Sequence, residues 1–171
     1  MITPAWARAM AAYNAEMNRR LYAAASTLDD ATRRADGGAF FASILGTLNH
    51  LLWADAMWMH RFDAWPRPEV SIAESGQFMP DWLAMRLARP DYDARIEAWA
   101  TRLQADDLTG DQTWFSGAAG REMTRPNWLL ITHMFNHQTH HRGQAHALLT
   151  RAGAMTGATD LPWVVGEEAW R

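Results

Sequence analysis

The chain has 171 residues, sixteen of them basic and nineteen acidic, for a net charge of −3, which suits one domain with a substantial buried core. Both signs are scattered, so no basic stripe marks a nucleic-acid partner; with no cysteine, disulfides and thiolate metal sites are excluded and any metal must use nitrogen or oxygen ligands. The start, MITPAWARAM, lacks a basic segment followed by an apolar one, and no apolar run approaches a membrane span, so a cytoplasmic protein is expected.

Thr3 before Pro4 is a helix-start signal, and Trp6, Met10, Tyr13, Met17, Leu21, Ala24 and Leu28 then recur by three and four. These predict a first helix over about 4–29, broken by DDATRRADGG with Gly37 and Gly38 as the stop. A second helix over about 39–62 is apolar nearly all round between 44 and 59, which requires cover on more than one side. Its polar exceptions, Thr47, Asn49, His50 and Asp55, call for partners. A proline-bearing stretch, WPRPEVSIAESG, crosses the molecule, and helical spacing returns with Trp82, Met85, Tyr92, Ile96, Trp99 and Leu103. Pro90 is expected as a kink within one long third helix. Residues 111–125, with glycines at their centre, suit a small irregular hairpin. The last helix is expected from about Pro126, near Thr124, to about Arg151, ended by Gly153. In the tail, Leu161, Trp163 and Val164 are candidates to pack back on the bundle. Ten tryptophans and ten methionines serve as core filler or line a pocket or interface, and composition leaves these open.

Five of the seven histidines lie between 133 and 146. Residues four apart on a helix stack over one another, so His133, His137 and His141 form one ladder. The spacing His137-x-x-x-His141 is that of a zincin helix, but HQTHH lacks the glutamate that would serve as its base. Such a pair arises by chance on surface helices, and two histidines seldom hold a metal tightly. His50, the polar break TLNHLLWAD in a buried helix, supplies the third ligand, because a buried imidazole needs a partner. One tension is that His50 points roughly opposite the densest aliphatic arc of its helix.

The segments LNHLLWAD and HMFNHQTHHRGQAHALL resemble, in order and separation, the signature of the DinB/YfiT-like family of bacterial metal-binding four-helix proteins. The likeness extends from the first helix to TDLPW near the end. It implies an all-α fold, an up-down-down-up four-helix bundle, with the metal triad on His50, His137 and His141 and a mononuclear ion, often nickel or zinc. It also implies a homodimer. His133 is a candidate fourth ligand, pocket lining or filler; Gln144 a candidate second contact to the site; Arg142 a partner for an acid or a helix end; and His140 a hydrogen-bonded structural residue. Asp55 is read as a buried ion pair or supporting contact rather than a ligand, and His60 and His146 as peripheral.

Three neutral imidazoles leave a divalent ion its full charge and an exchangeable position. An external low-molecular-weight thiol attacking a small electrophile is one chemistry, favoured by what the resemblance implies of characterised relatives. Hydrolysis by metal-bound water is a second. A non-enzymatic stress-response protein that only holds metal or ligand is a third, and a closed coordination sphere would mark it. No general base stands at a recognisable spacing from the triad.

Overall fold

A computed structural model describes residues 2–169; Trp170, at the end of the tail, lies outside them. Four long helices form the packed core: α1 (Pro4–Ser26), α3 (Ile44–Phe62), α4 (Trp82–Arg102) and α5 (Asn127–Arg151). Short helices α2 (Asp30–Arg34) and α6 (Leu161–Val164), 3-10 turns, and a hairpin of β1 (Asp111–Ser116) and β2 (Arg121–Pro126) fill the connections.

Helix directions follow from pairs of cross-contacts. On α1 and α4, Asn18 bonds Asp93 while Tyr22 stacks on Trp82, so the two run antiparallel. On α1 and α5, Trp6 meets Phe135 and Asn14 meets Arg142, so these run parallel. Trp58 meets His133 where His50 meets His141, which sets α3 against α5, and Asp55–Arg89 with Phe62–Trp99 makes α3 and α4 parallel. The result is the expected up-down-down-up bundle.

Caps explain most boundaries. The Thr3 hydroxyl accepts the Trp6 N–H at 3.1 Å with Pro4 in the first turn, as read. The first helix stops earlier than expected, at Ser26: Thr27 turns its hydroxyl onto the Ala24 carbonyl, and Asp29 caps the separate α2 through Thr32. The second long helix also starts later, at Ile44, where the Ser43 hydroxyl accepts the Gly46 N–H. Residues 39–42 form instead a tight turn with Ala42 at φ 61°. At the far end of α5 Gly153, at φ 83°, donates to Thr150 and Ala154 donates to Leu149, the paired bonds that terminate a helix on a left-handed glycine. The start of α5 carries no threonine cap; Pro126 occupies that position and the Asn127 N–H goes to the Gly110 carbonyl.

α4 runs continuously through Pro90, which sits at an exposed position where the carbonyl it leaves without a donor can be hydrated. The hairpin is more regular than expected: six-residue strands pair from Asp111↔Pro126 to Ser116↔Arg121, closed by the Gly120 N–H on the Ser116 carbonyl. In the tail, Val164 and Val165 pack against Tyr13 and Met17, whereas Trp163 is 81% exposed and Leu161 is exposed as well.

The all-round apolar α3 is indeed covered on every side, with each residue from Ile44 to Met59 buried. α5 and α4 take one side, and residues 65–80, including a 3-10 turn at Ile72–Gln77, fold back over the other. Each polar exception has its partner. Thr47 bonds back to the Ser43 carbonyl, Asn49 accepts the Met79 N–H at 2.5 Å, His50 meets Ser75, and Asp55 meets Arg89. Among the described residues no helix is long and apolar enough to cross a membrane.

Candidate metal centre

α3 and α5 run antiparallel against each other, and one imidazole nitrogen each from His50, His137 and His141 falls within 4.8 Å of the others. The ring centroids are 4.5–5.0 Å apart. The one-turn spacing of His137 and His141 aims both rings across the interface, and the buried α3 presents His50 to them. The tension over His50 resolves because the 65–80 segment covers that side of α3.

Hydrogen bonding fixes which nitrogens face inward. The Ser75 hydroxyl donates to the Ile72 carbonyl at 2.7 Å, so its oxygen is left to accept from His50 Nδ1 at 2.8 Å. His141 Nδ1 donates to Gln144 Oε1 at 2.8 Å, and the Gln144 amide in turn reaches His140 Nε2 at 3.3 Å. With their protons on Nδ1, both rings turn an Nε2 lone pair toward the cluster, the usual way a carbonyl or hydroxyl outside a metal site sets the ligand tautomer. Gln144, a candidate contact to the site, thus bonds His141, and His140 is a hydrogen-bonded neighbour.

Burial pushes the ring pKa of His50 and of His137 down to about 3, with the neighbouring imidazoles adding to the effect. His141 is lowered too, chiefly by burial, with the Gln144 bond working against it. All three rings are therefore neutral at neutral pH, the form that ligates a cation.

The donor set fits a divalent metal. His50 Nε2 and His137 Nε2 lie 3.2 Å apart, close to the ~3.3 Å between two nitrogens on one tetrahedral ion. If His137 carries its proton on Nδ1, two lone pairs face each other across that gap; if on Nε2, the buried Nδ1, which has no partner among the described residues, is an unsatisfied acceptor. A cation between the rings removes the facing-lone-pair repulsion. Phe41 stacks on His50 at 3.8 Å and Trp53 lies against the same ring at 5.8 Å, walling the site from water on that side.

His133 stays outside the nitrogen cluster; its ring is 5.7 Å from His137 and sits edge-on to Trp58. His60 bonds the Trp65 carbonyl and His146 faces Thr156, both away from the triad. Asp55 is the buried ion pair expected, with Arg89 Nη1 at 2.6 Å, and Gln138 also donates to it. Arg142 differs from expectation. Its guanidinium bonds the Asn14 and Thr139 side chains rather than an acid or a helix end, the carboxylates of this layer being bonded to Arg89, Asn18 and Gln138.

The residues that sequence reading missed are Ser75, Phe41, Gln138 and Arg89. Ser75 lies in a connecting segment with no periodicity to announce it, and Phe41 falls in the expected second helix, where nothing marks it as a neighbour of His50. Gln138 followed His137 in plain sight, but only the packing shows that it faces Asp55.

Comparison with protein families matches the chain to the DinB family over residues 1–171. Neither the curated proteins nor the solved structures contain a match.

Proposed function

We propose, from the premise that this chain belongs to the DinB family, that residues 1–171 form a single domain holding one divalent ion, nickel or zinc, on His50, His137 and His141. The site then activates a low-molecular-weight thiol for transfer to a small electrophile. The observation that carries this reading is the convergence of three neutral imidazole nitrogens from two helices within 4.8 Å.

A divalent ion held on His50, His137 and His141 would supply the positive charge that acidifies a bound thiol. The chain supplies the rest. Ser75 and Gln144 hold the Nδ1 protons of His50 and His141 and so keep both rings oriented. Phe41 and Trp53 keep water from one side of the His50 ring.

Two features favour a thiol over water as the nucleophile. No carboxylate of the described residues joins the cluster, and Asp55, the buried acid nearest in sequence to His50, is bonded to Arg89 and Gln138. The site therefore offers no evident base to take a proton. A free thiol, with a pKa of about 8.5 against roughly 15.7 for water, needs the least help to ionise.

The test is turnover of epoxides and aryl halides with glutathione or cysteine as cosubstrate, comparing nickel-loaded, zinc-loaded and chelator-stripped protein. Metal-dependent thioether formation is the expected result. Hydrolysis of activated esters without thiol would replace this reading with the hydrolase. A metal-loaded protein inert to both panels would leave a binding protein. We further propose a cytoplasmic homodimer; exposed Leu83 and Leu87 on one face of α4 are the apolar surface such an assembly would cover.

A further inference from the structure

One cation on α3, about three turns from His50, has no counterpart. Arg61, partly buried at the end of α3, forms no ion pair and no side-chain hydrogen bond among the described residues. The arginines buried in the core behave otherwise: Arg89 is paired with Asp55 and Asp93, Arg142 is bonded to Asn14, and Arg33 to backbone carbonyls. Four acids, Asp63, Asp106, Asp107 and Asp111, line a cavity together with Arg61, and none of them forms an ion pair with it. Asp63 accepts from Arg102 and from Trp65, and Asp107 accepts the Gln104 N–H.

What holds Arg61 is aromatic. Its guanidinium carbon lies 4.5 Å from the Trp58 ring and 5.8 Å from that of Trp114 on β1. Such contacts supply no hydrogen-bond acceptor, so the guanidinium keeps N–H groups that match the two oxygens of a carboxylate. Burial, with Arg67 adding to it, lowers its pKa to about 10, so it stays charged at neutral pH.

The same Trp58 links this cation to the triad. Its ring meets His133 at 5.2 Å, and His133 meets His137 at 5.7 Å. His50 and Arg61 lie roughly three turns apart on α3, about 16 Å along the axis, and at ~100° per residue they return to nearly the same face.

We propose that Arg61 binds the carboxylate end of an elongate organic acid whose other end reaches the three-histidine site, with His133 and Trp58 along the way. This rests on the metal-site reading and narrows it: the thiol, or the adduct it forms, carries a carboxylate on the order of 15 Å from the sulfur.

The experiment uses the full chain in two forms. In chelator-stripped protein, calorimetric binding of benzoate is compared with that of neutral benzamide, for the parent, Arg61→Gln and the control Arg8→Gln. Benzoate should bind at least tenfold more tightly than benzamide to the parent and to Arg8→Gln, and Arg61→Gln should abolish that preference; equal binding of the two probes, or a preference that survives Arg61→Gln, overturns the proposal. This arm needs no metal, so it reads the arginine even if the histidines bind none. In nickel-loaded protein, the thiolate-to-nickel absorption is titrated with mercaptoundecanoate and with mercaptopropionate. Arg61→Gln should weaken the long probe about tenfold and leave the short one unchanged; equal effects on both would show that Arg61 does not serve a ligand spanning from the metal, and would also overturn the proposal.

Discussion

Gln138, the residue directly after His137 on α5, donates its side-chain amide to the buried carboxylate of Asp55 on α3, while His137 itself faces His50 across the same interface. A buried polar layer therefore adjoins the three-histidine cluster and touches all four long helices. Asn18 on α1 bonds Asp93 on α4, Arg89 on α4 joins Asp93 to Asp55, and Gln138 carries the chain to α5. Burial pushes both carboxyl groups toward higher pKa and Arg89 opposes it. A paired buried charge of this kind is weak evidence of net stability; its place here is between α3 and α5, the two helices that carry the histidine cluster.

Replacing Gln138 with Leu should cost about 1–3 kcal/mol, since it leaves a buried carboxylate short of one donor. The effect on the metal site should exceed what that loss of stability explains. Chemical denaturation gives the first quantity, and a nickel titration under conditions where the variant is fully folded gives the second, with affinity expected to fall roughly tenfold, as for loss of a supporting contact. Unaltered nickel affinity would separate the polar layer from the site.

His137→Ala should lose stoichiometric nickel or zinc, whereas His146→Ala and His133→Ala should keep it. Elemental analysis of the three purified variants decides this. Retention by His137→Ala would refute the ligand assignment, and loss in His133→Ala would mean that a fourth ring closes the coordination sphere.

Two glycines make a matched pair of opposite sign. A methyl group on Gly46, in the first turn of α3, would overlap the Phe41 carbonyl, and it is this close approach that lets Phe41 stack on His50. Gly46→Ala should therefore destabilise the fold by about 1–3 kcal/mol and weaken metal binding by displacing Phe41. Gly143, on the exposed face of α5, has open space around the same position. Gly143→Ala should raise stability by about 0.5–1 kcal/mol through helix propensity, which thermal melts of the two variants will show.

Glu16 accepts from Arg19 and Arg20, and the Arg19 bond is the main cause that holds its carboxyl down to about 2, from an ordinary value of 4.5. A carboxylate depressed on folding stabilises the native state above its unfolded pKa, and that contribution is lost as the pH falls through the folded value. The stability difference between the parent and Glu16→Gln should thus be full at pH 7, decline below about 4.5 and vanish near 2. Solvent screening at this partly exposed trio limits it to about 1 kcal/mol. A difference that is flat across that range would rule out the ion pair as its source.

The amino-acid sequence alone marked the four long helices and, with the family resemblance, the histidines that cluster. Periodicity of three and four, Thr3 with Pro4, and Gly153 marked the long helices because these are local effects of one helix on its own backbone. The His137–His141 spacing was legible for the same reason: four residues on a helix fix two side chains on one face. Even the need for cover on α3 could be read, since a helix apolar all round has no face to give to water.

Only the tertiary structure decided what provides that cover and what stands behind each ligand. Ser75 is twenty-five residues from His50 in the chain, and Phe41 belongs to a four-residue turn that resembles a helix start until Ser43 takes the cap. Arg89 reaches Asp55 from another helix, and the setting of Arg61 between Trp58 and Trp114 is visible only once β1 has packed on α3. Such contacts depend on how helices pack rather than on what each helix is, and a linear pattern carries no record of which distant side chain will meet a buried nitrogen.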